Sequence, residues 1–487
     1  MKYCWGGFLL VLGLLLWTLL LGHGEGRAYV EPVAAGLEPG GGVSGTAVTT
    51  PLSTTTTYLP VVLNRYDAQF PAPMFGMQTY GSTDTTSTYY NYLMDSQASW
   101  VRSQVNWIDV EPVDATPAVY NWNSTDRALA VSQADKGGLQ VIAVIDYVPV
   151  WARLVLSEPN GRIRPDALDD FGAFVQAAVE RYDGDGYLDA PGKPIVKHWE
   201  MFNEPDLLTT RWGLYGDQYA NMLSVAYTAV KAADPSAQVL FGGMAYDWFD
   251  YQGGPFAYSF LEDVLAAGGG SYFDVMSFHM YPLFAGNWGG DPTGVQGKAA
   301  DIRAKLAAYG LDKPLVITEA GWHSSADTPP PSSNAEQVVR LVQLVTHSFA
   351  ADVKAFIWFM LYDPGDFLPS YGLITTDSPP VVKPAYTAYQ TAVNMLGNAQ
   401  FVNDLTPPAT GDVYMEAFQF HTNSAWLYVA WMNPYQTTAV STFTVAGHNA
   451  TLYSALGAVV GIINDTDGDG LLTVTVTDEP IYIRVNN

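Results

Sequence analysis

Strand-like runs and helical patterns alternate eight times along the middle of this 487-residue chain. Each run is short, apolar and bounded by polar or turn-forming residues, which is typical of strands buried on both faces. The eight predicted strands are Met74–Tyr80, Trp100–Val105, Leu139–Asp146, Ile195–Phe202, Gln238–Gly242, Phe273–His279, Leu315–Thr318 and Ala355–Met360. Repeated strand–helix units predict an α/β protein with a parallel sheet.

The segments between these strands have the period of amphipathic helices. Asp166–Tyr182 keeps one apolar face at three- and four-residue spacing, and similar patterns predict helices at Tyr219–Ala233, Ala299–Tyr309 and Ala335–Phe349. Eight such units favour a (β/α)8 barrel over a doubly wound sheet. The doubly wound sheet needs a glycine-rich phosphate turn after its first strand, and Met77–Tyr80 is not one. We therefore expect a barrel domain over residues 67–398.

The pattern changes after a further predicted helix at Pro384–Leu396. Downstream segments alternate apolar and polar residues with turns between them, which is typical of antiparallel strands with one buried face. These segments are Met415–Phe420, Trp426–Trp431, Thr442–Val445, Ala450–Ser454, Leu471–Thr477 and Ile481–Val485. We predict a small antiparallel β-sandwich over residues 399–487, with or without a strand from the segment before Phe70.

The N-terminus has the pattern of an export signal. Lys2 precedes the apolar stretch Phe8–Leu21, which indicates either a signal peptide over residues 1–26 or a membrane anchor. Residues 27–66 are rich in Gly, Pro, Ser and Thr and predict a disordered linker. We expect a secreted protein, released or retained at the membrane. The only cysteine is Cys4, so neither an intrachain disulfide nor a thiolate metal site is expected.

The net charge limits the classes of partner. The chain has 22 Lys and Arg against 48 Asp and Glu, which gives a formal charge of −26 at pH 7. Such a field repels phosphate polymers, so no nucleic-acid partner is expected, whereas a neutral carbohydrate meets no such barrier. The 14 Trp and 30 Tyr suit either a packed core or a groove that stacks on sugar rings.

Two glutamates follow strand-like runs in aromatic surroundings. Glu204 lies within Trp199–Asp206 at the end of the fourth predicted strand, and Glu319 lies within Val316–Trp322 at the end of the seventh. Barrel enzymes build their sites at the C-terminal ends of the strands, so these side chains are expected to meet across the mouth. Two carboxylates in that arrangement are typical of a retaining glycosidase, in which one protonates the leaving oxygen and the other attacks the sugar.

From about Phe70 to Leu396 the chain resembles the clan A (β/α)8-barrel glycoside hydrolases. With its C-terminal sandwich it is most similar in layout to family 39, the β-xylosidases and α-L-iduronidase, with the cellulase-type family 5 as a neighbour. The resemblance implies that Glu204 is the acid/base and that Glu319 is the nucleophile. It also implies a set of supporting and substrate-binding residues, which are Arg102, Asn203, His279, Tyr281 and Trp358.

Each supporting residue has a physical reason in this chemistry. Arg102 would favour the ionised nucleophile, Asn203 would bind the hydroxyl beside the reacting carbon, and Tyr281 would donate a hydrogen bond to the nucleophile. His279 would hydrogen-bond within the sugar site, and Trp358 would form an apolar floor under the sugar ring. The resemblance implies two carboxyl groups about 5–5.5 Å apart and retention of configuration. No cofactor and no metal are expected.

Other polar residues have more ordinary interpretations. Glu200 is either a buried partner near the site or a common strand carboxylate, and Glu111 is expected to anchor a loop. His198 is expected to be structural, and His323 to line the mouth. Three tryptophans on loops after strands either stack on sugars or pack between loops; they are Trp151, Trp212 and Trp288.

The segment Asp465–Gly470 begins like a calcium-binding loop. The twelfth position is Val476 instead of glutamate, and a strand follows instead of a helix, so a polar hairpin turn is favoured.

The functional hypothesis is a retaining glycoside hydrolase that acts on an oligo- or polysaccharide. The alternatives are a non-catalytic carbohydrate-binding cell-surface protein on the same barrel and a transglycosylase using the same site. The sugar, its linkage and exo or endo action depend on the loops 148–165, 206–216, 246–255 and 283–297.

Overall fold

The computed structural model describes residues 69–70, 73–79, 84–289, 291–363, 370–409 and 411–486. The predicted export signal or anchor, the predicted linker and a strand contributed from before Phe70 lie outside these residues. Within the described ranges, no helix combines the length and the apolar character that crossing a membrane requires.

Eight parallel strands form a barrel. They are β1 (Phe75–Gln78), β2 (Trp100–Asn106), β3 (Gln140–Asp146), β4 (His198–Met201), β5 (Gln238–Leu240), β6 (Met276–Met280), β7 (Leu315–Ala320) and β8 (Val353–Trp358). Their order is β5-β4-β3-β2-β1-β8-β7-β6. Single parallel bridges, Leu240 with Val275 and Met244 with Phe278, join β5 to β6 and close the ring. The predicted (β/α)8 barrel is confirmed.

Helices cover the outside of the barrel. They are α1 (Tyr90–Asp95), α2 (Trp107–Val110), α3 (Asn123–Leu129), α4 (Leu168–Arg181), α5 (Gly216–Ala233), α6 (Phe260–Ala266), α7 (Val295–Ala308), α8 (Asn334–Ala350) and α9 (Pro384–Leu396). Short 3-10 helices lie at Ala130–Ser132, Ala134–Lys136, Val150–Ala152, Pro165–Ala167, Asp250–Gln252, Gly269–Ser271 and Pro282–Asn287. The long amphipathic helices agree with the prediction, because their apolar stripes face the strands.

Apolar side chains fill the lower end of the barrel. The interior cluster is Phe70, Trp100, Ile142, Leu240, Val275, Val316, Ala355 and Ile357. The His198 ring packs against the Phe70 and Trp100 rings, with centroids 5.4 and 4.9 Å away, and its Nε2 lies 2.9 Å from the Gln69 carbonyl. Burial lowers the pKa of His198 to about 4, so this histidine is a neutral structural residue. The barrel is closed below, and the polar site must lie at the other end.

The C-terminal strands form two antiparallel sheets. The strands are β9 (Gln400–Asp404), β10 (Tyr414–His421), β11 (Ala425–Asn433), β12 (Ser441–Ala446), β13 (Asn449–Ser454), β14 (Val459–Asn464), β15 (Leu471–Val476) and β16 (Ile481–Asn486). Six of them are ordered β14-β13-β16-β11-β10-β9, and β12 pairs with β15 in a second sheet. The prediction missed β9 and β14. Both are edge strands with mostly exposed residues, so neither has the alternation that marks a half-buried strand.

A buried polar network connects the six-stranded sheet to the barrel. His347, on α8, is fully buried and lies with Nδ1 3.8 Å from Asp291 and Nε2 3.5 Å from Glu416 of β10. Glu416 also accepts hydrogen bonds from Trp431 Nε1 at 2.8 Å and Asn433 Nδ2 at 2.6 Å. Burial alone would lower the pKa of His347, but the surrounding carboxylates outweigh it and raise the pKa. The two carboxylates therefore favour the protonated form of the imidazole that joins the two parts of the molecule.

This network predicts a pH-dependent contribution to stability. A histidine whose pKa is higher in the folded state stabilises the protein below its unfolded pKa, and that stabilisation is lost as the pH rises through the folded pKa. We expect His347→Gln to lower the free energy of unfolding more at about pH 5.5 than at about pH 8.5. Urea unfolding of both proteins at the two pH values measures this. An equal loss at both values would show that the histidine is not charged in the folded state.

Candidate active site

The chain turns sharply after β4 and directs two polar side chains into the mouth of the barrel. Phe202 and Glu204 both have left-handed backbones, with φ of 68° and 44°. Such conformations cost about 1–3 kcal/mol and persist only where neighbours hold them. Here the Phe202 amide donates to the Ile145 carbonyl and the Glu204 amide to the Gly243 carbonyl, both at 2.9 Å. The turn therefore sets the positions of Asn203 and Glu204.

Glu204 and Glu319 approach each other across the mouth, and both are buried. Three atoms lie within 4.8 Å of one another: a carboxylate oxygen of Glu204, a carboxylate oxygen of Glu319 and a ring nitrogen of His279. Gly243 permits this packing from below. A Cβ atom there would lie 2.4 Å from His279 Nε2 and 2.6 Å from Thr318 Oγ1. The predicted meeting of the two glutamates is observed.

Arg102 is the centre of the charge network around Glu319. Its Nη1 donates to Glu319 Oε1 at 2.6 Å, and its Nη2 donates to Glu200 Oε1 and Asn203 Oδ1, each at 2.7 Å. Its Nε lies 3.2 Å from Glu200 Oε2, so the pair with Glu200 is bidentate. The guanidinium is almost fully buried. It places fixed positive charge beside Glu319 and orients Asn203 in the same contact.

The hydroxyl of Tyr281 donates to the other oxygen of Glu319, Oε2, at 3.0 Å. Burial, followed by the charge of Glu319, raises the pKa of Tyr281 well above its ordinary value. The phenol therefore keeps its proton and remains a donor. Arg102 and Tyr281 together fix both oxygens of Glu319.

Glu204 lies in a different environment from Glu319. Burial raises its pKa, against the opposing charges of Arg211, Arg102 and Lys298. Its Oε1 lies 3.3 Å from His279 Nδ1. Within the described part of the chain, Oε2 has no hydrogen-bond partner. One carboxyl group thus tends to hold a proton while the other is surrounded by donors, which is the division that acid and nucleophile require.

His279 lies between the two glutamates. Its Nδ1 is 3.3 Å from Glu204 Oε1 and 3.7 Å from Glu319 Oε2. Burial lowers the pKa of His279 to about 4, so the ring is neutral at ordinary pH. These three residues would also offer oxygen and nitrogen ligands to a metal, but the Arg102 guanidinium beside Glu319 disfavours a cation there.

Trp358 does not reach the mouth, which corrects its predicted place under the sugar. Side chains alternate along β8, and Ala355 and Ile357 are the residues that face the barrel interior. Trp358 faces the helix layer, is fully buried and donates from Nε1 to the Tyr371 carbonyl at 3.3 Å. The next residue, Phe359, is the aromatic residue that packs near the site.

Phe359 and Tyr371 form an aromatic wall behind Tyr281. The Phe359 and Tyr281 rings are 6.4 Å apart, and the Tyr371 ring lies 5.9 Å from that of Tyr281. These edge-to-face contacts hold the phenol that donates to Glu319. In the sequence Phe359 follows Trp358 directly, and only the pairing of β8 with β1 shows which of the two faces the mouth.

The structure also explains several residues outside the pair. Trp107 donates from Nε1 to Glu111 Oε2 at 2.8 Å, so Glu111 anchors its loop as expected. Trp212 is buried against Phe202 and Tyr219, and Trp288 packs on Tyr246 and Phe249, so both belong to the packing between loops.

His323 is buried beside Trp322 and Tyr371 and accepts from the Ser325 amide at 3.2 Å. Burial lowers the pKa of His323. Trp151 lies half-buried against Trp107, with ring centroids 5.3 Å apart, and its Nε1 donates to the Glu111 carbonyl at 3.2 Å. Both residues therefore serve to hold the loops around the mouth in place.

The acidic segment after β14 is a turn between strands. Asp465 accepts from the amides of Gly468 at 2.6 Å and Gly470 at 2.9 Å, and β15 begins at Leu471. Three carboxylates there, from Asp465, Asp467 and Asp469, come within 4.8 Å of one another. Because amides already occupy the Asp465 oxygens, the hairpin interpretation accounts for the geometry.

Sequence reasoning missed three buried charged residues around the pair. Arg211 follows β4, Asp206 accepts the amides of Ala245 and Tyr246, and Lys298 on α7 donates to the carbonyls of Ala245 and His279. Nothing in the local sequence marks Lys298, which reaches the site from a helix. Glu200, whose role was open, is the buried partner of Arg102.

The sequence matches the family model described as cellulase (glycosyl hydrolase family 5) over residues 65–360. The chain belongs to this glycoside hydrolase family. No curated protein gives a significant match. The enzyme is therefore assigned at the level of its family, as a hydrolase of glycosides.

Solved structures share the fold of this glycoside hydrolase at low identity. A family 39 glycoside hydrolase from the gut symbiont Bacteroides cellulosilyticus has a TM-score of 0.64 and 20% identity, over 85% of this chain and 81% of its own. A family 39 β-xylosidase from Caulobacter crescentus gives 0.58 and 15%, over 85% and 97%. A family 51 α-L-arabinofuranosidase from Bifidobacterium longum gives 0.52 and 14%, over 85% and 97%.

Proposed function

We propose that this glycoside hydrolase cleaves O-glycosidic bonds of an oligo- or polysaccharide with retention of configuration. The observation that carries the proposal is the approach of Glu204 and Glu319 oxygens to within 4.8 Å. Retaining enzymes hold their carboxyl groups about 5–5.5 Å apart, whereas inverting enzymes need about 6.5–9.5 Å to admit a water molecule. The short separation favours direct attack by one carboxylate.

The first step transfers the sugar to the enzyme. An oxygen of Glu319 forms a bond to the anomeric carbon as the bond to the glycosidic oxygen breaks. The proton of Glu204 passes to that oxygen, so the leaving group departs neutral and Glu204 becomes a carboxylate. In the second step a water oxygen attacks the anomeric carbon, its proton passes to Glu204, and the bond to Glu319 breaks to restore its carboxylate.

The contacts around the pair suit these roles. Arg102 and Tyr281 hold Glu319 in one orientation, which favours a near-attack geometry. The Asn203 amide, fixed by Arg102, lies next to Glu204 in the chain and can bind the hydroxyl beside the reacting carbon. Neither step requires a cofactor.

The neighbouring structures suggest which substrates to assay. They include a β-xylosidase and an α-L-arabinofuranosidase, and the family model is that of a cellulase, so xylosides, arabinofuranosides, glucosides and cello-oligosaccharides form the first panel. Because loops vary more between related proteins than the elements they connect, the panel must contain both aryl glycosides and polymers.

Retention is tested by following the first-formed anomer of the sugar by proton NMR. We expect the product to have the configuration of the substrate, and an inverted product would overturn the proposed mechanism.

We also expect Glu204→Gln to lower kcat on substrates with poor leaving groups by about 10²–10⁴-fold. The loss should be smaller for a dinitrophenyl glycoside, whose leaving group needs no proton. Equal losses on both substrates would exclude Glu204 as the acid.

Transfer of the sugar to another sugar hydroxyl uses the same intermediate, so product analysis distinguishes the two activities. Free sugar indicates hydrolysis, and lengthened oligosaccharides indicate transglycosylation. A non-catalytic carbohydrate binder would give neither product. The Arg102 and Tyr281 contacts to Glu319 argue against the binder, because binding alone does not require an oriented buried carboxylate.

We further propose a carbohydrate substrate outside the cytoplasm, on the basis of the apolar N-terminal stretch.

A further inference from the structure

Arg211 is a buried cation on the acid/base side of the site. It lies in the loop after β4 and is only 4% exposed. Its Nη1 donates to the carbonyl oxygen of Asn203 and is 4.0 Å from Glu204 Oε2. The hydrogen bond to the backbone keeps the guanidinium beside Glu204 without a direct hydrogen bond to the carboxyl group. The protein therefore holds positive charge near an oxygen that it otherwise leaves unpaired in the described structure.

Asp146 lies close to Arg211 from the neighbouring strand. This residue ends β3, is nearly fully buried and accepts from the Tyr147 amide at 2.9 Å and from the Asn160 side chain. Burial raises the pKa of Asp146, and the strongest opposing charge is that of Arg211. Asp146 thus provides a partial countercharge for Arg211.

The other two cations near Glu204 are already engaged. Arg102 is hydrogen-bonded to Glu200, Glu319 and Asn203. Lys298 donates to the carbonyls of Ala245 and His279 and to Asp247 Oδ1, at 2.6, 2.7 and 2.8 Å, which uses all three of its hydrogens. Of these three cations, Arg211 is the one to which no carboxylate is hydrogen-bonded in the described structure.

The proposed reaction moves negative charge from one side of the site to the other. Before the first step Glu319 is ionised and Glu204 is protonated. In the covalent intermediate Glu319 is an uncharged ester and Glu204 is the anion. Arg102 lies 2.6 Å from a Glu319 oxygen and matches the charge of the first state. The second state needs positive charge on the Glu204 side.

We propose that Arg211 is a positioning residue that stabilises the ionised form of Glu204 in the covalent intermediate. This inference rests on the proposed function, because only a double displacement requires the acid to become an anion and then a base. It also explains why an acid would have an arginine as a neighbour. Without Arg211, Glu204 would hold its proton more strongly, so less of the covalent intermediate would carry it as the carboxylate that can take a proton from water.

Several other titratable groups face Glu204 and must be separated from Arg211 in any pH experiment. They are Arg102 on β2, Asp206 after β4, Asp247 after β5, His279 and Tyr281 at β6, Lys298 on α7 and Glu319 on β7. Asp146 on β3 acts on Arg211, and Glu200 on β4 is paired with Arg102. Burial raises the pKa of Asp206 to about 7 and that of Asp247 to about 6. Both titrate near neutral pH, so the informative quantity is the shift caused by a change at Arg211 alone.

The test compares Arg211→Gln, which keeps a donor but loses the charge, with Arg211→Lys, which keeps the charge. The basic limb of kcat/KM against pH reports loss of the Glu204 proton. A neighbouring guanidinium lowers a carboxyl pKa by about 1–3 units, so we expect this limb to move up by about 1 unit in Arg211→Gln. We expect Arg211→Lys to leave the limb near that of the wild type. Asp146→Asn removes a negative charge and should move the limb down.

A second readout separates the two chemical steps. On a dinitrophenyl glycoside the second step limits kcat. At pH values where the raised pKa leaves Glu204 protonated in the intermediate, we expect Arg211→Gln to lower kcat more than kcat/KM. A limb that stays in place in every folded variant, with equal losses in both parameters, would overturn the inference and indicate a purely structural arginine. If Arg211→Gln does not fold, the basic limb of kcat/KM in Asp146→Asn is the test: a move to lower pH supports the inference, and an unchanged limb overturns it. A wild type without retaining activity would instead overturn the proposed function.

Discussion

Replacing Glu319 by glutamine is expected to lower kcat on every substrate by about 10⁵-fold, the scale seen when a catalytic nucleophile is removed. The amide has nearly the shape of the carboxylate but cannot form the covalent intermediate. Tyr281 and Arg102 would still surround the side chain, so the fold should persist. Steady-state rates and circular dichroism measure the two quantities. Turnover close to that of the wild type would show that Glu319 is not the nucleophile.

The matched control for this variant is Glu111→Gln. Glu111 is equally a buried glutamate, but it bonds the Trp107 indole in the loop after β2 and does not reach the pair. We expect this control to keep most of its activity.

Azide rescue provides a second, stereochemical test of the two glutamates. It should restore turnover of Glu319→Ala with an inverted product and that of Glu204→Ala with a retained one, because azide replaces the nucleophile in one case and water in the other.

The second large effect is expected at Arg102. Arg102→Met leaves Glu200 and Glu319 buried without their shared counter-charge. Breaking a buried ion pair by removing one partner costs about 3–5 kcal/mol, mainly because an uncompensated charge stays in the interior. We expect the free energy of unfolding to fall by that amount and activity to fall below about 1% of wild type, since Glu319 and Asn203 lose their orientation. Urea unfolding and kcat measure the two losses.

A double variant distinguishes the structural and the catalytic part of this loss. In Arg102→Met with Glu200→Gln the uncompensated charge on Glu200 is absent, so part of the stability should return. Activity should not return, because the donor to Glu319 is still missing. A double variant as unstable as Arg102→Met would show that the charge of Glu200 is not the source of the cost.

Much of the fold follows from local pattern. All eight barrel strands and the long helices α4, α5, α7 and α8 lie where apolar runs and three-four spacing predict them. The short helices α1, α2, α3 and α6 were not predicted, because four to seven residues are too few for a periodicity to emerge. The edge strands β9 and β14 were missed because their side chains are mostly exposed on both faces.

The error at Trp358 has a different origin. The strand itself was predicted, but a shift of one residue moves a side chain from the mouth to the helix layer. Only the pairing of β8 with β1, in which Trp358 lies beside Met77, decides which face it takes. The sequence alone offered two aromatic residues in succession, Trp358 and Phe359, with no means to choose between them.

The amino-acid sequence by itself determined the barrel, its order of strands and helices, and the two strand ends that carry glutamates, because these depend on periodicities spanning a few residues. The tertiary structure decided which charges meet. Arg102 and Glu319 are 217 positions apart, and Lys298 reaches the site from a helix whose sequence shows no sign of it. A buried charge is stable only beside its partners, and closure of the ring is what brings those partners together.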